Sequence, residues 1–344
     1  MKAAIFEKTG GPEVIHIADV ADPDPGPGDV RIRVVACALN HLDLWVRRGL
    51  PILTPMPHIG GSDVAGIVDL VGSSVDNQWL GARVVVNPTM SCGVCDACTA
   101  GEPPLCASMR ILGEHTQGGF AEYVVAPAAN LLRVPDEVPL ERVAAAPLAF
   151  ATAWRALASR ARLRPRDTIL ITGASGGVAT AAIQIARFLG ARVLALTSSP
   201  HVQRVKDLGA HLVYDRTQSG FGQDVWRDTD KRGVDVVLDS VGQAIWHDCI
   251  RCLTRGGRLV TCGATTGHDA HTDLRHIFYK QLSILGSTMS NPTEFLAVMD
   301  LVLRGTLRPV IHDVLPLDRL REAHELLEAG SVFGKVVLDV GGAE

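Results

Sequence analysis

The stretch Thr168–Ala186, TILITGASGGVATAAIQIA, sets an apolar strand directly against a glycine-rich turn and a helix-spaced apolar run. Gly173, Gly176 and Gly177 let the backbone turn sharply and approach a pyrophosphate, whose charge a helix N-terminus stabilises. Ala174, Ser175 and Val178 complete the loop as cofactor-facing candidates. Ala179 stands where the third glycine of such fingerprints usually falls, a change that close helix–strand packing tolerates.

Outward from this loop the alternation continues. The apolar run Val178 to Leu189 predicts a helix, RVLALTS a strand, and a further helix ends at LGA. VDVVLDSVG, GRLVTCG and LSILGST read as more strands, with helical segments before GRLVTCG and after LSILGST. Strands and helices alternating at this spacing predict a doubly wound parallel α/β sheet over residues 151–284. Gly263, closing GRLVTCG, is a further cofactor candidate.

The end of the second strand bears on cofactor choice. It reads LALTSSPHVQR, with no acid before Asp207. Thr197, Ser198 and Ser199 offer hydroxyls to a phosphate, and His201 and Arg204 follow. A carboxylate there would accept from ribose hydroxyls and repel an added phosphate, so this stretch favours NADP(H).

Before Pro147 the rhythm differs. KAAIF, VIHIADV, DVRIRVVAC, AGIVDLVG, ARVVVNP and AEYVVAP are short strands separated by Gly and Pro, which predicts a small β-rich, partly open barrel. After Pro292 come a helix, PVIHDVLP, another helix and GKVVLDV. These tail strands are expected to return to the first domain, giving a β-rich domain of 1–150 and 285–344.

The 344 residues, 47% hydrophobic and 20% charged, suit an ordered protein of about two domains. A formal net charge of −4 gives no case for nucleic acid or anionic membrane. MKAAIFEKTGG lacks the apolar stretch of a signal peptide. The longest apolar run, Val143 to Trp154, holds Pro147 and falls short of the roughly 20 residues a bilayer demands. A cytoplasmic protein is expected.

Four of the eight cysteines fall in SCGVCDACTAGEPPLC. Cys92, Cys95, Cys98 and Cys106 form a CxxCxxCx7C pattern within a lobe at about 91–107. Four thiolates complete a tetrahedral Zn²⁺ shell and leave no position for water or substrate, so the expected role is structural. Cys249 and Cys252 form a CxxC on a predicted helix, a setting that suits buried free thiols.

From MKAAIFEKTGGPEV to GKVVLDV the chain resembles the medium-chain dehydrogenase/reductase superfamily, the zinc alcohol dehydrogenases and their quinone oxidoreductase relatives. The resemblance runs through GPGDVRIRVVACALNHLDL, GGSDVAGIV, the four-cysteine lobe, GGFAEYVV and TGASGGV. It implies a GroES-like catalytic domain around a Rossmann domain, with a structural zinc in the cysteine lobe. It also implies a catalytic zinc held by a cysteine, a histidine with adjoining glutamate, and a further cysteine. Here those positions carry Asn40 in CALNHLDL, and Ser62 and Asp63 in GGSDVAG, while AAAPLAFATAW has no cysteine. Leu42 stands where a proton-relaying hydroxyl is normal. Such a set is a poor zinc shell.

The resemblance places Asn40 at the nicotinamide or substrate carbonyl, as in the quinone oxidoreductases, and Thr152 near the nicotinamide ring. His41 and His115 are candidate proton donors, titrating in a useful range. Asp63 is a candidate catalytic or orienting acid, and Asp43 has the same structural reading. His41, His58, Asp63 and His115 together offer a rearranged metal set. Oxidation of a simple alcohol requires loss of a proton with a pKa near 16, which zinc lowers by roughly nine units. Quinones and α,β-unsaturated carbonyls need no such help, since delocalisation stabilises the oxyanion and a few hydrogen bonds suffice. The expectation is an NADPH-dependent reductase of quinones or activated carbonyls with a structural zinc only. The alternatives are an alcohol or aldehyde dehydrogenase with an unusual metal set, and a non-catalytic NADPH-binding sensor. LSILGST resembles the family's dimerising strand, implying a homodimer or homotetramer.

Overall fold

A computed structural model describes residues 1–51, 54–218 and 220–341; the last three residues of the expected 285–344 segment lie outside it. The chain divides into two compact units, one of Met1–Ala151 with Ser290–Glu344 and the other of Thr152–Met289. Its strands are β1 (Lys2–Ile5), β2 (His16–Asp19), β3 (Asp29–Ala38), β4 (Asp63–Val71), β5 (Arg83–Val86), β6 (Thr89–Met90), β7 (Arg110–Ile111), β8 (Tyr123–Pro127) and β9 (Leu131–Arg133). There follow β10 (Thr168–Ile171), β11 (Arg192–Thr197), β12 (Leu212–Asp215), β13 (Val234–Asp239), β14 (Leu253–Thr261), β15 (Ser283–Gly286), β16 (Ile311–Pro316) and β17 (Lys335–Asp339).

In the second unit six strands run parallel in the order β12-β11-β10-β13-β14-β15. This is the doubly wound order, and it reverses between β10 and β13 beside the glycine loop. All four residues of β10 are buried, as are the last five of β11, as expected of strands covered on both faces. The edge strand β12 has no counterpart in the sequence expectation. It is four residues long, and only Tyr214 is buried, so no buried apolar run announces it.

In the first unit β3 is central. Alternate residues Val30, Ile32 and Val34 are fully buried, the period of a strand with one face on a core. It pairs antiparallel with β4, β8 and β17, within the order β16-β17-β3-β4-β5-β9. The tail strands lie in the first unit, and β17 brings the C-terminal segment against the end of β3. The doubly wound and GroES-like expectations both describe this molecule. Among the described residues no helix is long and apolar enough to cross a membrane.

Candidate active site and metal lobe

Strand register gathers one polar cluster in the first unit. Ala38, the last residue of β3, pairs with Asp63 on β4, while Val337 of β17 pairs with it on the other side. Residues two apart on a strand share a face, so Asn40 beyond Ala38 and Lys335 before Val337 can meet Asp63. They do. Lys335 Nζ donates to Asn40 Oδ1 at 2.5 Å and to Asp63 Oδ2 at 2.8 Å. Asn40 Nδ2 also donates to Asp63 Oδ2, at 3.0 Å, and the Leu148 N–H donates to Asp63 Oδ1 at 2.8 Å. Asp63 is fully buried and Lys335 is 4% exposed.

This narrows the expectation for Asn40, since its carbonyl oxygen and one amide hydrogen are spent inside the protein. Sequence reasoning missed Lys335 altogether. The signal was present in GKVVLDV, but only the β17–β3 register shows where that lysine points.

Asp43 braces the same corner. Its carboxylate accepts from the Asn40 N–H at 2.7 Å and the Gly61 N–H at 3.0 Å, tying the start of helix His41–Arg48 to the turn before β4. Burial pushes its pKa up to about 6, against the pull of those two donors. The orienting role read for Asp43 fits these bonds. Ser62 is fully buried and its Oγ has no hydrogen-bond partner among the described residues.

Both histidine candidates are depressed. Burial, with the charges of Lys335 and Arg48, lowers His41 to about 4, so it is neutral near pH 7 and a poor proton donor there. His115 Nδ1 accepts from the Ile111 N–H at 3.2 Å, and burial lowers its pKa as well. His58 is fully buried, with Nε2 3.0 Å from the Gly113 carbonyl and its ring edge-on to Phe6. The rearranged metal set of His41, His58, Asp63 and His115 is not formed. Among the described residues the four cysteines are the one group of three or more His, Cys, Asp or Glu side chains placed to hold an ion. Sequence reasoning also passed over Glu114, beside His115. It is 8% exposed, its Oε2 has no hydrogen-bond partner among the described residues and lies 3.7 Å from His115 Nδ1, and burial with the charge of Asp43 raises it to about 7.

In the cysteine lobe Cys92 Sγ lies 3.8 Å from Cys98 Sγ and 3.6 Å from Cys106 Sγ, and Cys95 and Cys98 are 3.6 Å apart. All four sulfurs lie within 4.8 Å of one another. A tetrahedron with Zn–S bonds of about 2.3 Å has edges of about 3.8 Å, so the donor set fits zinc. Backbone N–H groups of Val94 and Cys95 lower the Cys92 thiol to about 6.

In the second unit the glycine loop turns as expected. Gly173 adopts φ +58°, a left-handed conformation open to glycine, and a Cβ there would come 3.3 Å from Val241. The Gly176 N–H donates to the Gly173 carbonyl and that of Ala174 to the Leu196 carbonyl, while Ser175 lies between them. Helix Gly177–Phe188 then leaves the N–H groups of Gly177, Val178 and Ala179 without intrahelical acceptors, a ready anion cradle. Gly263 follows β14, where a Cβ would come 3.2 Å from the Ser240 carbonyl beyond β13. Asp239, unnoticed in sequence, is buried at the end of β13 and takes bonds from Thr172 Oγ1 and the Val241 and Gly242 N–H groups. Thr152 lies buried in helix Pro147–Trp154.

The hydroxyls read for a phosphate are not all free to meet one. Thr197 is buried with no partner for its Oγ1 among the described residues. Ser199 Oγ donates to Asp215 Oδ2 at 2.5 Å, and only Ser198 is part-exposed without either constraint. Asp215 ends β12, in register with Thr197. The second strand carries no acid, but its neighbour β12 ends in one, Asp215, bonded to Ser199.

The comparisons with known proteins agree with this geometry. Residues 26–136 match the alcohol dehydrogenase GroES-like domain and residues 177–304 the zinc-binding dehydrogenase domain. A crystal structure described as an NAD-dependent alcohol dehydrogenase is 45% identical with a TM-score of 0.95, over 99% of this chain and 100% of that one. The quinone oxidoreductase of Lama guanicoe is 31% identical over 98% of this chain and 97% of its own. The acryloyl-coenzyme A reductase of Metallosphaera sedula is 29% identical over 98% and 99%. The chain is therefore an oxidoreductase of the medium-chain dehydrogenase/reductase superfamily, the family of the alcohol dehydrogenases and quinone oxidoreductases.

Proposed function

We propose that this protein is a nicotinamide-dependent reductase of quinones or α,β-unsaturated carbonyls, with a structural zinc in the cysteine lobe and no catalytic zinc. The observation that carries the reading is the Lys335–Asp63 pair. Of the positions where the alcohol dehydrogenases ligate their catalytic metal, Asn40 and Asp63 are bonded to a side-chain ammonium and Ser62 is a hydroxyl. A divalent ion would have to displace Lys335 and would gain only hard, weakly binding oxygens.

A bound reduced nicotinamide would supply the hydride. The turn Gly173–Val178 and the N-terminus of helix Gly177–Phe188 would hold its pyrophosphate, with Thr197, Ser198, Ser199 and Gly263 along the same edge. For the cofactor's ribose, the Asp215 carboxylate beside Ser199 suits a free diol better than a 2′-phosphate, which makes NAD(H) the better match than the NADP(H) read from TSS alone. Cys92, Cys95, Cys98 and Cys106 would close around zinc and stabilise their loop. An oligomer through the edge strand β15 and a cytoplasmic location complete the reading; thiols kept reduced suit that compartment.

The test is zinc quantification on purified protein together with turnover of quinones, enones and simple alcohols. The expected result is about one zinc per chain, with quinone or enone reduction well above alcohol oxidation. The 45% identical structure is called an alcohol dehydrogenase, so alcohol oxidation is the competing activity. About two zincs per chain with alcohol-dependent cofactor reduction would replace this reading with that one, and tight cofactor binding without any turnover would favour a sensor.

A further inference from the structure

We propose that His324 is a positioning residue: through one water bound in a cavity beside it, it anchors the Asp43 carboxylate that sets Asn40 and the turn before β4. This deepens the reductase reading above and rests on it, with Asn40 as the site residue being placed. Helix Leu320–Glu328 carries His324 into the first unit, where it is 3% exposed and its Nδ1 lies 3.0 Å from an Arg47 guanidinium nitrogen. Arg47 is fully buried and also donates from Nε to the Gly10 carbonyl, at 3.1 Å. A guanidinium only donates, so Nδ1 must be the acceptor and the ring proton sits on Nε2. Burial and the Arg47 charge lower the His324 pKa to about 3, which keeps the ring neutral with that single proton near pH 7. Nε2 has no hydrogen-bond partner among the described residues. A buried N–H donor without an acceptor is costly, so this one points to a ligand.

The space for that ligand adjoins the ring. His324 and Asp43 line one cavity, whose other walls are buried and apolar, Phe6, Val46, Phe120 and Leu320 among them. It has room for about one water molecule. A wholly apolar cavity stays dry, whereas one that offers a donor and an acceptor holds water. Here the donor is His324 Nε2–H and the acceptor is Asp43. Its two oxygens already accept from the Asn40 N–H at 2.7 Å and the Gly61 N–H at 3.0 Å, and each keeps a lone pair. A water that accepts from His324 and donates to Asp43 satisfies both groups and holds the carboxylate from a third direction. The helix Leu320–Glu328 is thereby tied to the start of helix His41–Arg48 and to Gly61, the residue before Ser62.

The experiment pairs a high-resolution crystal structure of the zinc-loaded wild type with hydrogen exchange, read by mass spectrometry, on wild type, His324→Phe and His324→Gln. The crystal is expected to show one water within hydrogen-bond distance of both His324 Nε2 and Asp43. His324→Phe keeps a ring in place but has no donor. Its Asn40 and Gly61 amides should exchange about tenfold faster than in wild type, the factor for one ordinary hydrogen bond. His324→Gln can accept from Arg47 and donate to the water, so its two amides should stay within about twofold of wild type. In whichever reaction the wild type catalyses, His324→Phe should lose about tenfold in kcat, with the KM for cofactor within about twofold. A dry cavity in the wild type overturns the proposal whether or not His324→Phe folds. So does a folded His324→Phe with wild-type exchange at both amides or with wild-type kcat, and so does one in which strands β3 and β5 speed up equally, the mark of a general loosening. The crystal and the exchange are read without substrate and decide this proposal, whereas the substrates that wild type turns over decide the reductase reading.

Discussion

Lys335 and Asp63 are 272 residues apart in sequence, yet Lys335 Nζ lies 2.8 Å from Asp63 Oδ2 in the interior of the first unit. Removing one member of such a pair leaves an uncompensated buried charge, at a cost of about 3–5 kcal/mol. Asp63→Asn and Lys335→Met are each expected to lose that much stability in urea denaturation. The double variant Asp63→Asn with Lys335→Met should lose much less than the two single losses combined. Additive losses would mean that the pair is not coupled in solution.

The cysteine lobe predicts a metal whose loss is felt in stability first. Cys98→Ser removes one of four thiolates, so zinc content should fall from about one per chain towards zero, with a lower Tm. Zinc quantification alongside calorimetry reads both. Full zinc content in Cys98→Ser would show that the ion is held elsewhere.

Some of this site was legible in sequence and some was not, for definite reasons. The turn at Gly173 and the four cysteines declare themselves because their spacing is local: a few consecutive residues meet one ligand. Asn40 and Asp63 were visible through family resemblance, but not their partner. Lys335 is one lysine in an ordinary strand, and only the pairing of Val337 with Ala38 puts it in the cluster. Asp215 was hidden similarly, on a four-residue edge strand whose register with β11 brings a carboxylate to Ser199. Both strand periods were right. What failed to transmit was pairing across distance.

Edge strand β15 and the helix Leu274–Lys280 before it present Leu274, Phe278, Tyr279 and Ile284 to solvent, three of them at 66–70% exposure. An apolar edge with unpaired backbone groups suits pairing with a second copy. Light scattering should show a dimer or tetramer for the wild type and a monomer for Phe278→Glu with Ile284→Lys. A wild-type monomer at micromolar concentration would end this assignment.

Asp215 should act on cofactor choice through charge. Its carboxylate is 2.5 Å from Ser199 Oγ, so a 2′-phosphate at this strand end would be repelled. Asp215→Asn removes the charge and keeps the shape. The ratio of kcat/KM for NADPH to that for NADH is expected to rise about tenfold, equivalent to about 1.4 kcal/mol. A ratio unmoved by the substitution would place the discriminating group elsewhere.

Glu114 ties stability to pH with a sign opposite to the usual carboxylate. Its pKa is raised from 4.5 to about 7 by burial and the charge of Asp43. Between those values the folded chain holds a proton that the unfolded chain has released, so stability falls as pH rises through this window. Asp43, raised to about 6, acts in the same direction from 3.8 upward. His41 and His324, lowered to about 4 and about 3, act in the opposite direction below 6.5. Those three groups titrate in wild type and variant alike and largely cancel in the difference. Glu114→Gln has no proton to lose. It should match the wild type in stability near pH 4, gain on it steadily to pH 7, and hold a constant advantage of about 1–3 kcal/mol above that. Urea denaturation of both proteins from pH 4 to pH 8 measures it. A difference that is flat with pH, or that shrinks as pH rises, would mean that Glu114 ionises like an exposed carboxylate.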